Sequence, residues 1–163
     1  MERHYTTPGG YERMQKHLQD TRDRFFAVCA DNEDANGSGD SSVWHDNFAY
    51  EENQRQMQRL SAQVISIEKT ICNLVVYEPP KHQHEKVQLG SCVRIAMNDK
   101  EQEYFIAGYL DGSLEDGRIS YTTPLGKKLL GAEEDDVLYL KINGKELEIE
   151  VLEINPPTSP NHN

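Results

Sequence analysis

Apolar positions in the first half of the chain recur in alternating steps of three and four. Tyr11, Met14, Leu18, Thr21, Phe25, Val28 and Asn32 form one series; Tyr50, Asn53, Met57, Leu60, Val64, Ile67, Ile71 and Leu74 form a second. This spacing puts a narrow seam on each of two helices, suited to one partner helix. Both seams turn polar toward the same end, near Asn32 and Asn53, which is expected to be the wetter one. The stretch 31–45 between them is rich in Asp, Asn, Gly and Ser, a turn by composition. Two comparable helices joined by a short turn favour an antiparallel hairpin within one chain over a dimerising coiled coil, so a monomer is expected. At 1.5 Å per residue, helices of about 22 to 30 residues are roughly 35 to 45 Å long.

Local signals bound these helices. Thr7 and Pro8 suit the N-cap and first turn of the first helix, and Asp46 suits the N-cap of the second. Glu78-Pro79-Pro80 is expected to end the second helix, since proline cannot continue it. The predicted hairpin thus occupies 1–78 with an acidic tip loop at about 33–46, followed by a linker over 79–86. The linker's His82-x-His84 pair lacks the further ligands a metal site needs.

From Val87 the period becomes that of strands. Val87–Met97, Tyr104–Tyr109, Arg118–Tyr121, Val137–Ile142 and Glu146–Ile154 read as extended. Asn143-Gly144 signals a tight hairpin turn. Thr123-Pro124 followed by Leu125–Leu130 and Gly131 reads as a short capped helix. The expected fold class is α+β, with a compact β-rich domain over 87–155 and a disordered tail over 156–163.

Composition adds limits. The chain has 163 residues, of which 28% are charged, with a net charge of -11. Its mean hydropathy of -0.77 fits a thin molecule with little interior. The acidic balance argues against broad binding to nucleic-acid backbone, which requires clustered Lys and Arg. No apolar run approaches the roughly 18 to 20 residues that span a bilayer, and the start lacks a secretory pattern, so a cytoplasmic protein is expected. Cys29, Cys72 and Cys92 are far apart and odd in number, which predicts reduced, mostly buried thiols.

The segment Ile119–Val137, with Ile119-Ser120-Tyr121-Thr122-Thr123-Pro124 followed by Leu130-Gly131 and Asp135-Asp136-Val137, resembles the C-terminal signature of the bacterial Gre transcript cleavage factors (GreA/GreB). Thr7-x-x-Gly10-Tyr11-Glu12-x-Met14-x-x-x-Leu18 is similar to that family's helix start. Gly39-Asp40 and Asp46-Asn47-x-x-Tyr50 resemble its tip. The resemblance implies an FKBP-like C-terminal domain that docks at the mouth of the secondary channel of RNA polymerase. The helical hairpin would then reach down the channel toward the nascent RNA 3′ end.

In that family two tip carboxylates help hold the second catalytic Mg²⁺, so that the polymerase cuts its own backtracked transcript. The factor is then an accessory rather than an enzyme, with no cofactor of its own and no stably bound metal. Carried over, Asp40 and Asp46 are the carboxylate pair, with Trp44, His45 and Asn47 as tip contacts. Such residues fit the chemistry, because Mg²⁺ takes oxygen ligands while keeping several waters. Thr122, Thr123, Pro124 and Leu125 are the docking candidates, and Arg22, Arg24, Arg55 and Arg59 the RNA-contact candidates.

The chain departs from the family pattern at the tip. The usual Asp and Glu are three residues apart, whereas Asp40 and Asp46 are six apart and the second is one methylene shorter. This motivates an alternative function, a channel-occupying regulator that does not promote cleavage. A prolyl isomerase is suggested only by the FKBP-like fold. Tyr104, Phe105, Tyr109, Tyr121 and Tyr139 are scattered along the chain, without the pattern of an aromatic-lined pocket.

Overall fold

A computed structural model describes residues 3–37, 47–80, 85–98, 100–142 and 144–156. The order of elements is β1 (His4–Thr6), α1 (Pro8–Gly37), α2 (Asn47–Cys72), β2 (Leu74–Val76), β3 (Cys92–Met97), β4 (Lys100–Ala107), β5 (Arg118–Ser120), α3 (Pro124–Leu129), β6 (Val137–Ile142) and β7 (Lys145–Asn155). The fold class is α+β. Two compact units are present: Met1–Tyr11 with Leu74–Asn163, and Glu12–Asn73.

The helical unit consists of most of α1 together with α2. Thr7 caps α1 as its sequence suggests: Gly10 N–H donates to Thr7 Oγ1 at 3.2 Å, and Tyr11 N–H to the Thr7 carbonyl at 2.9 Å. Along α1, Met14 and Thr21 are buried and Leu18, Phe25 and Val28 half-buried. On α2, Asn53, Met57, Leu60, Val64, Ile67 and Ile71 are half-buried, whereas Tyr50 is exposed. No described α2 side chain is fully buried, as expected where one helix has too little covering it. The buried Thr21 hydroxyl is satisfied within its own helix, donating to the His17 carbonyl at 2.7 Å. An ion pair between Arg22 and Glu68 brings α1 and α2 within side-chain reach.

α2 stops at Cys72, before the Glu78-Pro79-Pro80 stretch expected to end it. Asn73 is the breaker: its N–H bonds the Thr70 carbonyl at 3.0 Å in a tightened last turn, and its Nδ2 donates to the Lys69 carbonyl at 2.9 Å. Orphan carbonyls at the helix end are thereby satisfied. Leu74, assigned above to the helical seam, instead begins β2.

The other unit holds two sheets. β1 pairs β2 in parallel, His4 opposite Leu74 and Thr6 opposite Val76, an arrangement the local pattern does not announce. Parallel neighbours need a long crossover, which α1 and α2 supply. The larger sheet has the order β5-β4-β3-β7-β6 and is antiparallel except for β4 with β5. One face builds the core: Val93, Ile95, Ile106, Leu140, Ile149, Val151 and Ile154 pack with Leu129 of α3, Val87 and Ala132. Arg94, Glu101, Glu103, Glu146, Glu148 and Glu150 alternate with these positions and are exposed, the period of two expected of a half-covered sheet.

The expected strand Val87–Met97 begins only at Cys92. Gly90, at φ +88°, turns the chain, while Val87 is held outside the sheet by bonds to Gly131 and Ala132. β4 begins earlier than expected, because Lys100–Glu103 pair with β3 despite their polarity. The β6–β7 turn closes with Gly144 at φ +79° between Ile142 and Lys145; Asn143 lies outside the described residues. So do linker residues 81–84 and tail residues 157–163.

Candidate functional site

The knuckle between β5 and α3 is a tightly bonded turn at the surface of the β-containing unit. Thr123 is the N-cap of α3. Its Oγ1 accepts from Gly126 N–H at 3.1 Å and donates to the Ser120 carbonyl at 2.8 Å. Pro124 follows at the first helical position, where its missing N–H costs nothing. Ser120 Oγ lies 2.9 Å from Thr122 Oγ1, closing the turn from the other side. Gly126 sits so near this turn that an added Cβ would be 2.2 Å from the Ser120 carbonyl oxygen and 2.9 Å from Tyr121 Cα. The knuckle is thus held by its own bonds and by close backbone approach.

The four docking candidates have different situations. Pro124 is exposed and Thr122 half-buried at the surface. Thr123 is committed to the cap, and Leu125 leans on the core. Thr122 and Pro124 are therefore the side chains best placed to touch a partner.

Beside the knuckle is an apolar cleft of about 330 Å³ lined by Tyr5, Tyr77, Gln88, Leu89, Tyr121 and Leu130. The tyrosines, scattered in sequence, are gathered by the β1–β2 pair. Tyr5 N–H donates to the Tyr121 hydroxyl at 3.2 Å, Tyr109 N–H to the Tyr5 carbonyl at 2.9 Å, and Tyr77 N–H to the Thr6 carbonyl at 2.8 Å. The Tyr77 hydroxyl donates to Gln88 Oε1 at 3.4 Å. Of the five aromatics considered above, only Tyr121 lines this cleft; Tyr5 and Tyr77 come from β1 and from the residue after β2. No local signal reveals the cleft, because three of its walls meet only through long-range strand pairing. Such a concavity suits an apolar side chain of a partner better than a charged ligand.

On the helical unit, Arg22 is engaged by Glu68, and Arg55 lies 3.5 Å from Glu51 and 3.6 Å from Glu52. Arg24 and Arg59 are exposed, and among the described residues neither makes an ion pair. Asp40, Trp44, His45 and Asp46 lie outside the described residues; Asn47 opens α2. Cys92 is buried and Cys29 partly so, but Cys72 is exposed, contrary to the expectation of mostly buried thiols. Away from the knuckle, the exposed Lys86 ammonium is held above its ordinary pKa by a hydrogen bond from its Nζ to Glu133 and by that carboxylate's charge. Among the described residues, no group of three or more His, Cys, Asp or Glu side chains is arranged to hold a metal, and no helix is long and apolar enough to cross a membrane.

Comparison with known proteins places this arrangement. Residues 82–156 match the family model described as transcription elongation factor, GreA/GreB, C-terminal. The chain is 31% identical over 150 residues to the transcription elongation factor GreA of Nitratiruptor sp., covering 91% of this chain and 90% of that protein. It is 32% identical over 149 residues to GreA of Lachnoclostridium phytofermentans, covering 89% and 91%. Among solved structures, Thermus aquaticus Gfh1 aligns over 95% of this chain and 99% of that one, at 26% identity and a TM-score of 0.44. With a relative above 30% identity aligned over nearly its whole length, and a C-terminal family model that spans the knuckle, the chain belongs to the GreA/GreB family of transcription elongation factors.

Proposed function

We propose that this protein binds bacterial RNA polymerase through its secondary channel and stimulates the polymerase's own cleavage of backtracked RNA. The helices would pair as an antiparallel coiled-coil hairpin that enters the channel. The FKBP-like β unit would dock at the rim through Thr122 and Pro124, with the tyrosine cleft receiving an apolar side chain. The observation that supports this most is the 3-4 series of half-buried positions on α1 and α2, with Arg22 and Glu68 bridging the helices. At 30 and 26 residues, the helices are roughly 45 and 39 Å long.

At the tip, Asp40 and Asp46 would donate carboxylate oxygens to the weakly held second Mg²⁺ of the polymerase, near the RNA 3′ end. Two-metal hydrolysis needs an activated water and a stabilised leaving oxygen, and an added carboxylate favours occupancy of the second site. Trp44, His45 and Asn47 would contact the surrounding polymerase or RNA, and Arg24 and Arg59 the RNA phosphates. The protein would act as a monomer in the cytoplasm.

The six-residue spacing of Asp40 and Asp46 supports a second reading, a non-cleaving channel occupant. Purified protein added to stalled, backtracked complexes separates the two. Shortened RNA that is lost with Asp40→Ala or Asp46→Ala carries the cleavage reading. Polymerase binding that displaces an authentic cleavage factor without shortening RNA carries the other. Failure to bind polymerase would refute both.

A further inference from the structure

Leu110 is 63% exposed and Leu114 is 75% exposed, both in the short segment joining β4 to β5. Single exposed leucines are ordinary. These differ in that the backbone around them is heavily bonded and, at Leu110, strained. Leu110 has φ 56°, a left-handed conformation disfavoured by its side chain. Ser113 and Arg118 exchange both backbone hydrogen bonds, at 2.9 and 2.8 Å, and Gly117 N–H reaches the Leu114 carbonyl at 3.2 Å.

The Arg118 side chain, 17% exposed, fastens the segment from beneath. Its Nε donates to the Asp111 carbonyl at 3.3 Å and its Nη2 lies 2.9 Å from Asp116. The Asp111 side chain is buried beside Gly10 and Thr6. A frame this well bonded, holding a leucine in a costly conformation facing water, is organised for presentation; local folding alone would favour Gly or Asn at that position.

We infer that Leu110 and Leu114 form a second polymerase contact, seated in an apolar hollow bordered by Lys or Arg. This inference rests on the proposed polymerase partnership and extends its docking face. Gly112 packs on the start of the knuckle, with its Cβ position 3.1 Å from Ser120 N, so the two surfaces are contiguous. Charge defines the partner's rim. Glu115 and Asp116 are exposed, and the segment's one cation, Arg118, is already engaged by Asp111 and Asp116. Two apolar side chains with an acidic border complement an apolar hollow with a basic one.

The test uses the full-length chain and core polymerase, with affinity and thermal unfolding measured for the wild type, Leu110→Gly, Leu114→Ser, the double variant and Val137→Thr. Val137 is also exposed, on the edge strand β6, and serves as the control. Leu110→Gly is expected to unfold at an unchanged or higher temperature, since glycine relieves the left-handed strain. Each leucine variant is expected to bind about tenfold more weakly, as loss of one buried leucine side chain implies. The control should bind as the wild type does. Unchanged affinity of the double variant overturns the inference alone, as does a loss matched by lowered unfolding temperature. Leucine-dependent self-association of the wild type without polymerase assigns the surface to a second copy and also overturns it. Absence of wild-type binding overturns the polymerase reading as well.

Discussion

Replacing Gly126 by alanine tests the construction of the knuckle, because the expected sign is opposite to that of an ordinary helical glycine. In the first turn of an unobstructed helix, Gly→Ala stabilises by up to about 1 kcal/mol, through helix propensity and a less disordered unfolded chain. Here the new Cβ would stand 2.2 Å from the Ser120 carbonyl oxygen and 2.9 Å from Tyr121 Cα. Real Cβ atoms essentially never approach within 3.0 Å, so the backbone of the turn or of α3 must move. Overpacking of this kind costs about 1–3 kcal/mol. The same movement loosens the Thr123 cap, whose acceptor contact is with Gly126 N–H, for about 1 kcal/mol more. After the propensity gain is subtracted, a net loss of about 1–3 kcal/mol is expected.

Denaturation followed by near-ultraviolet tyrosine circular dichroism is the appropriate assay, since Tyr5, Tyr77 and Tyr121 line the adjoining cleft. The single tryptophan, Trp44, lies in the opposite half of the sequence. Gly126→Ala should lower the midpoint of that transition and weaken polymerase binding through the misplaced Thr122 and Pro124. A variant as stable as the wild type, or more so, would refute the close-approach argument and with it the picture of a locked docking turn.

Leu129→Ala removes a fully buried side chain from the α3–sheet contact and should cost about 2–5 kcal/mol in the same transition. Thr123→Ala should cost about 1 kcal/mol and raise amide exchange in the first turn of α3, where the cap bond is lost. Arg22 and Glu68 are 42% and 41% exposed, so a double-mutant cycle should return a coupling below about 1 kcal/mol that shrinks with added salt. A much larger, salt-insensitive value would show that the bridge is shielded from water. A peptide prolyl-isomerase assay is expected to show no activity, since the Tyr77 and Tyr121 hydroxyls in the cleft serve internal hydrogen bonds.

Much of this organisation is written in local pattern. The 3-4 series predicts which faces of α1 and α2 lose solvent, because helical geometry alone brings Met14, Leu18, Thr21, Phe25 and Val28 to one side. Alternation similarly marks Val93, Ile95, Ile149 and Val151 for the core. Thr123-Pro124 and the turn at Gly144 follow from backbone preferences confined to two or three residues. The stop after Cys72 is also legible in principle, in Asn73, although the prolines later in the chain are the more conspicuous breakers.

By itself, then, the sequence determined the helical and strand periods, the capped α3 and the family to which the chain belongs. Tertiary structure alone decided that His4–Thr6 and Leu74–Val76 become strands, since neither triplet has enough local preference to hold an extended form until the other is beside it. That pairing assembles the tyrosine cleft from residues far apart in the chain. It likewise took the folded segment to show that Leu110 is strained and exposed, while Asp111 next to it is buried with Arg118. Periodicity records which side of an element is apolar, but a site built from distant segments exists only once the loop-closure cost has been met and the segments have met each other.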